Sequence, residues 1–119
     1  MTYKEWKGKE TFAEMCLFLN GEIHHTTYDA VSCRVKQTDI SLSKNERNVD
    51  ISLHRPTCAD MYARIDNVGA LILTEGDNQY FKKHAVLQPK NESGDGIHIS
   101  PKGDVELLTR NKSLSVDFR

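Results

Sequence analysis

Two short histidine motifs are the residues of this sequence whose types and spacing best suit catalysis. They are His25-x-Thr27 and His98-x-Ser100. Each lies in a segment that we predict to be a strand, where residues i and i+2 point to the same face. Each motif would therefore present an imidazole beside a hydroxyl. Because imidazole titrates near neutral pH, two such motifs facing one cleft would suit general acid–base chemistry.

The paired motifs resemble the H-x-[ST] signature of the 2H phosphoesterases. In that family, two histidines act as general base and general acid on a phosphodiester, and the hydroxyls bind phosphate oxygens. The resemblance implies these roles for His25 and His98, with Thr27 and Ser100 as phosphate ligands. Because a three-residue pattern is short and the chain has five histidines, we favour surface histidines and no catalytic site. A small phosphodiesterase or nuclease is the alternative.

A second set of side chains offers ligands that zinc accepts. His54 and Cys58 lie four residues apart, and Cys33 precedes them in a predicted strand. Structural zinc sites usually show tighter ligand spacing, and neither cysteine has a close cysteine neighbour in the sequence. We therefore predict no metal and no other cofactor, and we keep Cys33, His54 and Cys58 as the alternative metal set.

Aromatic and basic residues are the candidates for contact with a partner. Trp and Tyr are enriched among the interface residues that contribute most to binding energy. Aromatic residues beside lysines can also stack on bases. The candidate binding residues are Trp6, Tyr28, Tyr80, Phe81, Lys82 and Lys83. The chain has 16 Lys+Arg and 17 Asp+Glu, for a net charge of -1. Since this balance lacks the basic footprint of nucleic-acid-binding proteins, we do not expect nucleic acid as a partner.

The elements that must position these residues begin with a helix. Thr11 and Glu14 have the spacing of a capping box, and apolar residues follow at the intervals of one helical face. Asn20 and the glycine after it can adopt the positive φ that ends a helix. The spacing predicts a helix over 11–20, and the opening residues predict a shorter helical turn over 2–7.

Beyond this helix, apolar and polar residues alternate, which predicts a series of half-buried strands. The polar run 44–48 predicts a hairpin turn, and 90–96 predicts a flexible loop. The segment 97–118 predicts a small meander. A one-sided helix and one-sided strands need each other for burial. The sequence therefore predicts a single α+β domain over 1–119, with the helix packed on a curved, mostly antiparallel sheet or small open barrel of about six to eight short strands.

The three cysteines and the N-terminus bear on location. An odd number of cysteines and no secretory signal predict reduced thiols and a cytoplasmic protein. No apolar run is long enough to span a bilayer, so we expect no membrane partner. Edge strands of small β domains are often covered by a second copy, so a homodimer is one expected assembly.

The segment from Trp6 to Ile23 resembles the opening of small accessory proteins of tailed bacteriophages. In these proteins, a capped amphipathic helix ends in a glycine and a polar-rich strand follows. The resemblance implies a phage-encoded cytoplasmic protein that binds a host protein, such as an inhibitor of restriction, CRISPR or another defence system. We therefore expect a non-enzymatic protein-binding module that inhibits or modulates a larger host protein or complex. A module that binds a nucleotide signal is the third interpretation, after the phosphodiesterase.

Overall fold

The structure, a computed structural model, describes residues 2–6, 11–66, 71–81, 96–99, 105–109 and 112–116. These residues form one helix, α1 (Phe12–Phe18), and eleven strands in two sheets. The strands are β1 (Thr2–Trp6), β2 (Glu22–Thr27), β3 (Ala30–Val35), β4 (Thr38–Lys44), β5 (Asn48–His54), β6 (Met61–Asp66), β7 (Leu71–Glu75), β8 (Asn78–Phe81), β9 (Gly96–Ile99), β10 (Val105–Thr109) and β11 (Lys112–Val116).

The larger sheet has seven strands, β2 to β8, each paired antiparallel with the next in the chain. In β3 to β7, buried residues alternate with more exposed ones. The predicted hairpin between β4 and β5 is confirmed. The Asn45 side-chain oxygen accepts hydrogen bonds from the backbone N–H groups of Arg47 and Asn48, at 2.8 and 2.9 Å, and so shapes its turn.

The smaller sheet has four strands in the order β1-β11-β10-β9. The predicted C-terminal meander is confirmed for β9, β10 and β11, which pair antiparallel. The predicted helical turn over 2–7 is wrong, because β1 is an edge strand that pairs parallel with β11. Of the predicted loop 90–96, Gly96 belongs to β9, and residues 90–95 lie outside the described part of the chain.

One hydrophobic core joins the two sheets. It contains residues from the seven-stranded sheet, such as Leu42 and Ile51, and residues from the four-stranded sheet, such as Leu107 and Leu114, all fully buried. At one side, the backbone N–H of Ile97 in β9 donates to the sulfur of Met61 in β6 at 3.4 Å. The two sheets therefore pack face to face, and each has one face turned away from the core.

The expected α+β fold is wrong, since the described residues are mostly strand. The capping box at the start of α1 is confirmed: Glu14 N–H donates to Thr11 Oγ1 at 3.2 Å, and Thr11 N–H donates to Glu14 Oε2 at 3.0 Å. However, α1 has only seven residues and contacts mainly β2 and β3. The main cover of the seven-stranded sheet is a second sheet. No helix in the described ranges is long and apolar enough to cross a bilayer.

A disulfide links the helix to the larger sheet. Cys16 of α1 and Cys33 of β3 are bonded, with their Cα atoms 6.5 Å apart, and both side chains are buried. The prediction of reduced thiols is therefore wrong for this pair. Gly21 leaves room for the bond, because a Cβ added there would lie 2.5 Å from the Cys16 sulfur.

We expect loss of this disulfide to destabilise the fold. The bond spans a sequence separation of 17 residues, and closing a loop of ~15 residues stabilises the folded state by about 3 kcal/mol through the entropy of the unfolded chain. Urea unfolding with and without reductant measures the difference. Cys58→Ser is the matched control and should leave the midpoint unchanged. Equal midpoints for the oxidised and reduced protein would contradict the disulfide.

Candidate functional site

The outward face of the seven-stranded sheet is the candidate site, and we call it the outer face. Strand register brings polar side chains of neighbouring strands side by side across it. This row, which we call the serine row, consists of His25, Ser32, Ser41, Ser52, Tyr62, Thr74 and Gln79. Neighbouring members lie roughly 4.8 Å apart, the spacing between paired strands. The register thus places hydrogen-bonding groups on seven adjacent strands.

A pocket of about 330 Å³ opens on the serine row. Its polar lining comes from β3, β4, β5, β6 and the turn before β6. The lining residues are Ser32, Asp39, Ile40, Ser41, Ser52, Leu53, His54, Asp60, Met61 and Tyr62. Because Ile40, Leu53 and Met61 have their side chains in the core, the chemistry of the pocket belongs to the three serines and the four titratable groups.

The first titratable group, Asp39, is held by an arginine on the neighbouring strand. Arg34 Nε donates to Asp39 Oδ1 at 2.8 Å, and Arg34 Nη2 donates to Asp39 Oδ2 at 3.4 Å. The hydrogen bond from this guanidinium lowers the pKa of Asp39 below its usual value of 3.8. The carboxylate is therefore ionised at neutral pH and already neutralised by its partner.

The second and third groups form a pair at the end of β5. His54 Nδ1 lies 2.7 Å from Asp60 Oδ1, and both side chains are 66% exposed. Two hydrogen bonds fix the loop between β5 and β6 that contains Asp60. Buried Arg55 donates from Nη2 to the Ala59 carbonyl at 2.6 Å, and Gly76 N–H donates to the Asp60 carbonyl at 3.0 Å. Arg55 Nη2 also lies 3.4 Å from Oε2 of buried Glu75.

The fourth group, Tyr62, is fixed by a carboxylate that Arg64 also binds. The Tyr62 hydroxyl donates to Asp50 Oδ1 at 2.8 Å, and Arg64 Nε donates to the same oxygen at 2.8 Å. Burial raises the pKa of Tyr62, and its hydrogen bond to Asp50 raises it further. Tyr62 therefore stays a neutral phenol in a fixed position.

The structure separates the histidines of the phosphodiesterase hypothesis. His25 and Thr27 do share the outer face, since they align with outward residues of β3. His98 follows core residue Ile97, so it points away from the core on the smaller sheet, where it lies 3.6 Å from Glu106. Packed sheets are ~10 Å apart, so the two imidazoles lie on opposite sides of the core and do not face one cleft. Ser100 is outside the described residues.

The alternative metal set is also dispersed. Cys33 is buried in its disulfide with Cys16, whereas His54 is exposed and bonded to Asp60. Cys58 is half-buried as a free thiol. Among the residues that the structure describes, no group of three His, Cys, Asp or Glu side chains could hold a metal ion.

The candidate binding residues are distributed over both sheets. Tyr28, in the turn between β2 and β3, is 83% exposed, and Lys44 Nζ lies 5.8 Å from its ring centre. Trp6 is in β1, whereas Tyr80 and Phe81 are in β8, and these three are described only in their backbone. Lys82 and Lys83 lie outside the described residues. Of the six, Tyr28 is thus the one with a defined exposed side chain.

Sequence reasoning missed the serine row, to which Tyr62 belongs, and the carboxylates Asp39 and Asp60 beside it. The alternation that predicts β4 and β5 already places Ser41 and Ser52 opposite their apolar neighbours. However, only the register of the pairing aligns residues from all seven strands into one row. No family model, curated protein or solved structure matches the chain, so the site is defined by its own geometry.

We expect the Arg34–Asp39 pair to be visible in acid titration. Asp39 should titrate below 3.8, and Arg34→Gln should raise its pKa towards that value because the donor is lost. A depressed folded-state pKa stabilises the fold above the unfolded pKa, and this contribution disappears as pH falls through the folded pKa. Carboxyl NMR titration of both proteins measures the shift. The same Asp39 pKa in both would contradict the pairing.

We expect Arg55→Ala to destabilise the protein by about 3–5 kcal/mol, the usual effect of removing one member of a buried ion pair. The substitution takes the cation away from buried Glu75 and the donor away from Ala59. Urea unfolding measures the loss, with exposed Arg47→Ala as the control. Adding Glu75→Gln to Arg55→Ala should recover part of it. Wild-type stability of the single variant would refute the role assigned to this pair.

Proposed function

We propose that this chain is a non-enzymatic protein-binding module that inhibits or modulates a larger host protein through the outer face. The observation that carries the proposal is the composition of this face. It combines a row of polar residues with a pocket and with Ile72, which is 42% exposed. The turn between β2 and β3, at the end of the same sheet, adds Tyr28, which is 83% exposed. Seven strands make it the broader of the two outward faces.

A partner that binds the outer face would remove water from its charged and polar side chains. Burying an unpaired charge in an interface is costly, whereas a paired charge retains its partner. On the outer face, Asp39 is paired with Arg34, and Asp50 with Arg64. The other contact groups of this face include serine hydroxyls and tyrosine rings. Binding surfaces of antibodies rely on the same two residue types, Tyr for rigid contact area and Ser for adaptable hydrogen bonding.

A cytoplasmic location belongs to this proposal and has its own test. Its main support was the expectation of reduced cysteines, and the Cys16–Cys33 disulfide weakens that support because disulfides are rare in the cytosol. Cell fractionation with marker proteins for each compartment decides the location. We expect the protein to fractionate with the cytoplasmic marker. Recovery with a marker of an oxidising compartment would overturn the cytoplasmic part of the proposal.

Paired tyrosine variants test the proposed binding face. We expect Tyr28→Ala to weaken partner binding at least tenfold, because exposed aromatics that become buried carry much of the binding energy at interfaces. Tyr3→Ala is the matched control: Tyr3 is 52% exposed but lies on the smaller sheet. The partner is first identified by affinity capture with the wild-type protein, and its dissociation constants are then measured by calorimetry with purified components.

A blocking variant tests the centre of the same face. Ser41→Arg places a long charged side chain on the serine row and should abolish capture without unfolding, since Ser41 is exposed on β4. Circular dichroism checks the fold of each variant. Capture that is lost with Tyr3→Ala but retained with both Tyr28→Ala and Ser41→Arg would place the interface on the other sheet. Failure of folded wild-type protein to retain any partner would overturn the proposal.

A further inference from the structure

We propose that the pocket on the serine row binds a neutral, polyhydroxylated ring, that is, a sugar residue. Three observations carry this inference: the ionisable side chains around the pocket already have hydrogen-bonding partners, serine hydroxyl groups line it, and a fixed aromatic residue forms part of its wall. The inference goes beyond protein binding and does not depend on it, because a free glycoside would make the same contacts.

The existing partners of the ionisable groups around the pocket select against ionic ligands. Arg34 makes two hydrogen bonds to Asp39, and His54 lies 2.7 Å from Asp60. A phosphate or carboxylate would have to compete with Asp39 for Arg34. An amine would have to compete with the same arginine for Asp39, or with His54 for Asp60. A neutral ligand instead leaves both pairs in place and can still donate hydrogen bonds to the unused lone pairs of their carboxylates.

The three serines supply the matching hydrogen-bonding groups. Ser32, Ser41 and Ser52 are direct cross-strand neighbours, so their hydroxyls form a line with a step of roughly 4.8 Å. Each hydroxyl can donate one hydrogen bond and accept two. Sugar hydroxyls have the same dual capacity. A ring lying along the row can therefore satisfy several serines together, whichever direction each hydrogen bond takes.

Tyr62 and the pocket volume fit a ring of this size. Sugar rings have an apolar face of C–H groups, which packs well against an aromatic side chain. The hydrogen bond from the Tyr62 hydroxyl to Asp50 fixes this phenol before any ligand arrives. The pocket volume of about 330 Å³ lies at the lower end of small-molecule sites, about 300–1,000 Å³. A pocket of this size has room for one sugar residue and is too small to enclose a long oligomer.

NMR titration of the ¹⁵N-labelled full chain tests the inference. The probes are the methyl glycosides of glucose, galactose and mannose, and N-acetylglucosamine, with inorganic phosphate and lysine methyl ester as charged comparisons. We expect at least one sugar to shift the amide signals of Ser41, Ser52 and Tyr62 in a saturable way. Phosphate and the lysine ester should leave these signals in place. An Asn-linked glycopeptide distinguishes a glycan of a protein from a free sugar, and saturable shifts by either support the site.

Serine variants on one strand provide the matched control. Ser41→Ala should weaken sugar binding about fivefold, the effect of losing one hydrogen bond of about 1 kcal/mol. Ser43→Ala, two residues along the same outward face of β4 and outside the pocket lining, should bind like the wild type. Equal weakening by both variants would overturn the assignment of the site.

The remaining outcomes also decide the inference. A wild-type protein that responds to no sugar would overturn it, and so would stronger shifts with phosphate or the lysine ester. Either result leaves the proposed protein-binding function standing, because that function is judged separately by capture with the tyrosine variants. Conversely, sugar binding without any captured protein would overturn the protein partner and keep the sugar site.

Discussion

The alternation of buried and outward side chains along paired strands is the constraint on which the rest of this structure depends. Leu42 and Ile51 are in register and fully buried in the core between the sheets. The same register aligns Ser41 with Ser52 on the opposite face. A slip by one residue would turn the apolar set to solvent and the serines into the core. Burial of the core therefore fixes the geometry of the site without any packing demand on the site residues themselves.

Two buried features stabilise the seven-stranded sheet: a disulfide near the start of β2 and an arginine near the pocket. The Cys16–Cys33 disulfide fastens α1 to β3, beside the start of β2, at the point where Gly21 leaves space for it. At the pocket, Arg55 reaches the carbonyl of Ala59 from a fully buried position, and so holds the turn that supplies Asp60. A buried guanidinium is costly to desolvate and is retained only with good partners. The position of Asp60 at the pocket thus depends on the buried contact between Arg55 and the residue before it, Ala59.

Local patterns in the sequence predicted local structure well and predicted its assembly poorly. The capping box of Thr11 and Glu14 and the turn at Asn45 depend on neighbours within a few residues, and both are confirmed. β1 was mistaken for a helical turn because its structure comes from parallel pairing with β11, more than 100 residues away.

The candidate site likewise depends on long-range pairing that the sequence does not reveal. The strand alternation at Ser41 and Ser52 was visible, but their alignment with Tyr62 and the turn at Asp60 arises only from pairing across strands. The same holds for His25 and His98, whose similar motifs made a shared cleft the alternative interpretation. Their separation follows from the assignment of β2 and β9 to different sheets, which no pattern within either motif encodes.

The paired charges of the outer face determine what kind of recognition it can support. A surface with unpaired charges of one sign attracts partners over long distances, and salt weakens that attraction. Here, Arg34 and Arg64 each face a carboxylate at 2.8 Å, so their fields largely cancel beyond the pair. Affinity must then come from contacts at short range: hydrogen bonds to the serine row, burial of aromatic rings and fit to the pocket. Such contacts discriminate by shape and hydrogen-bond direction, and both are set by the strand register that the core enforces.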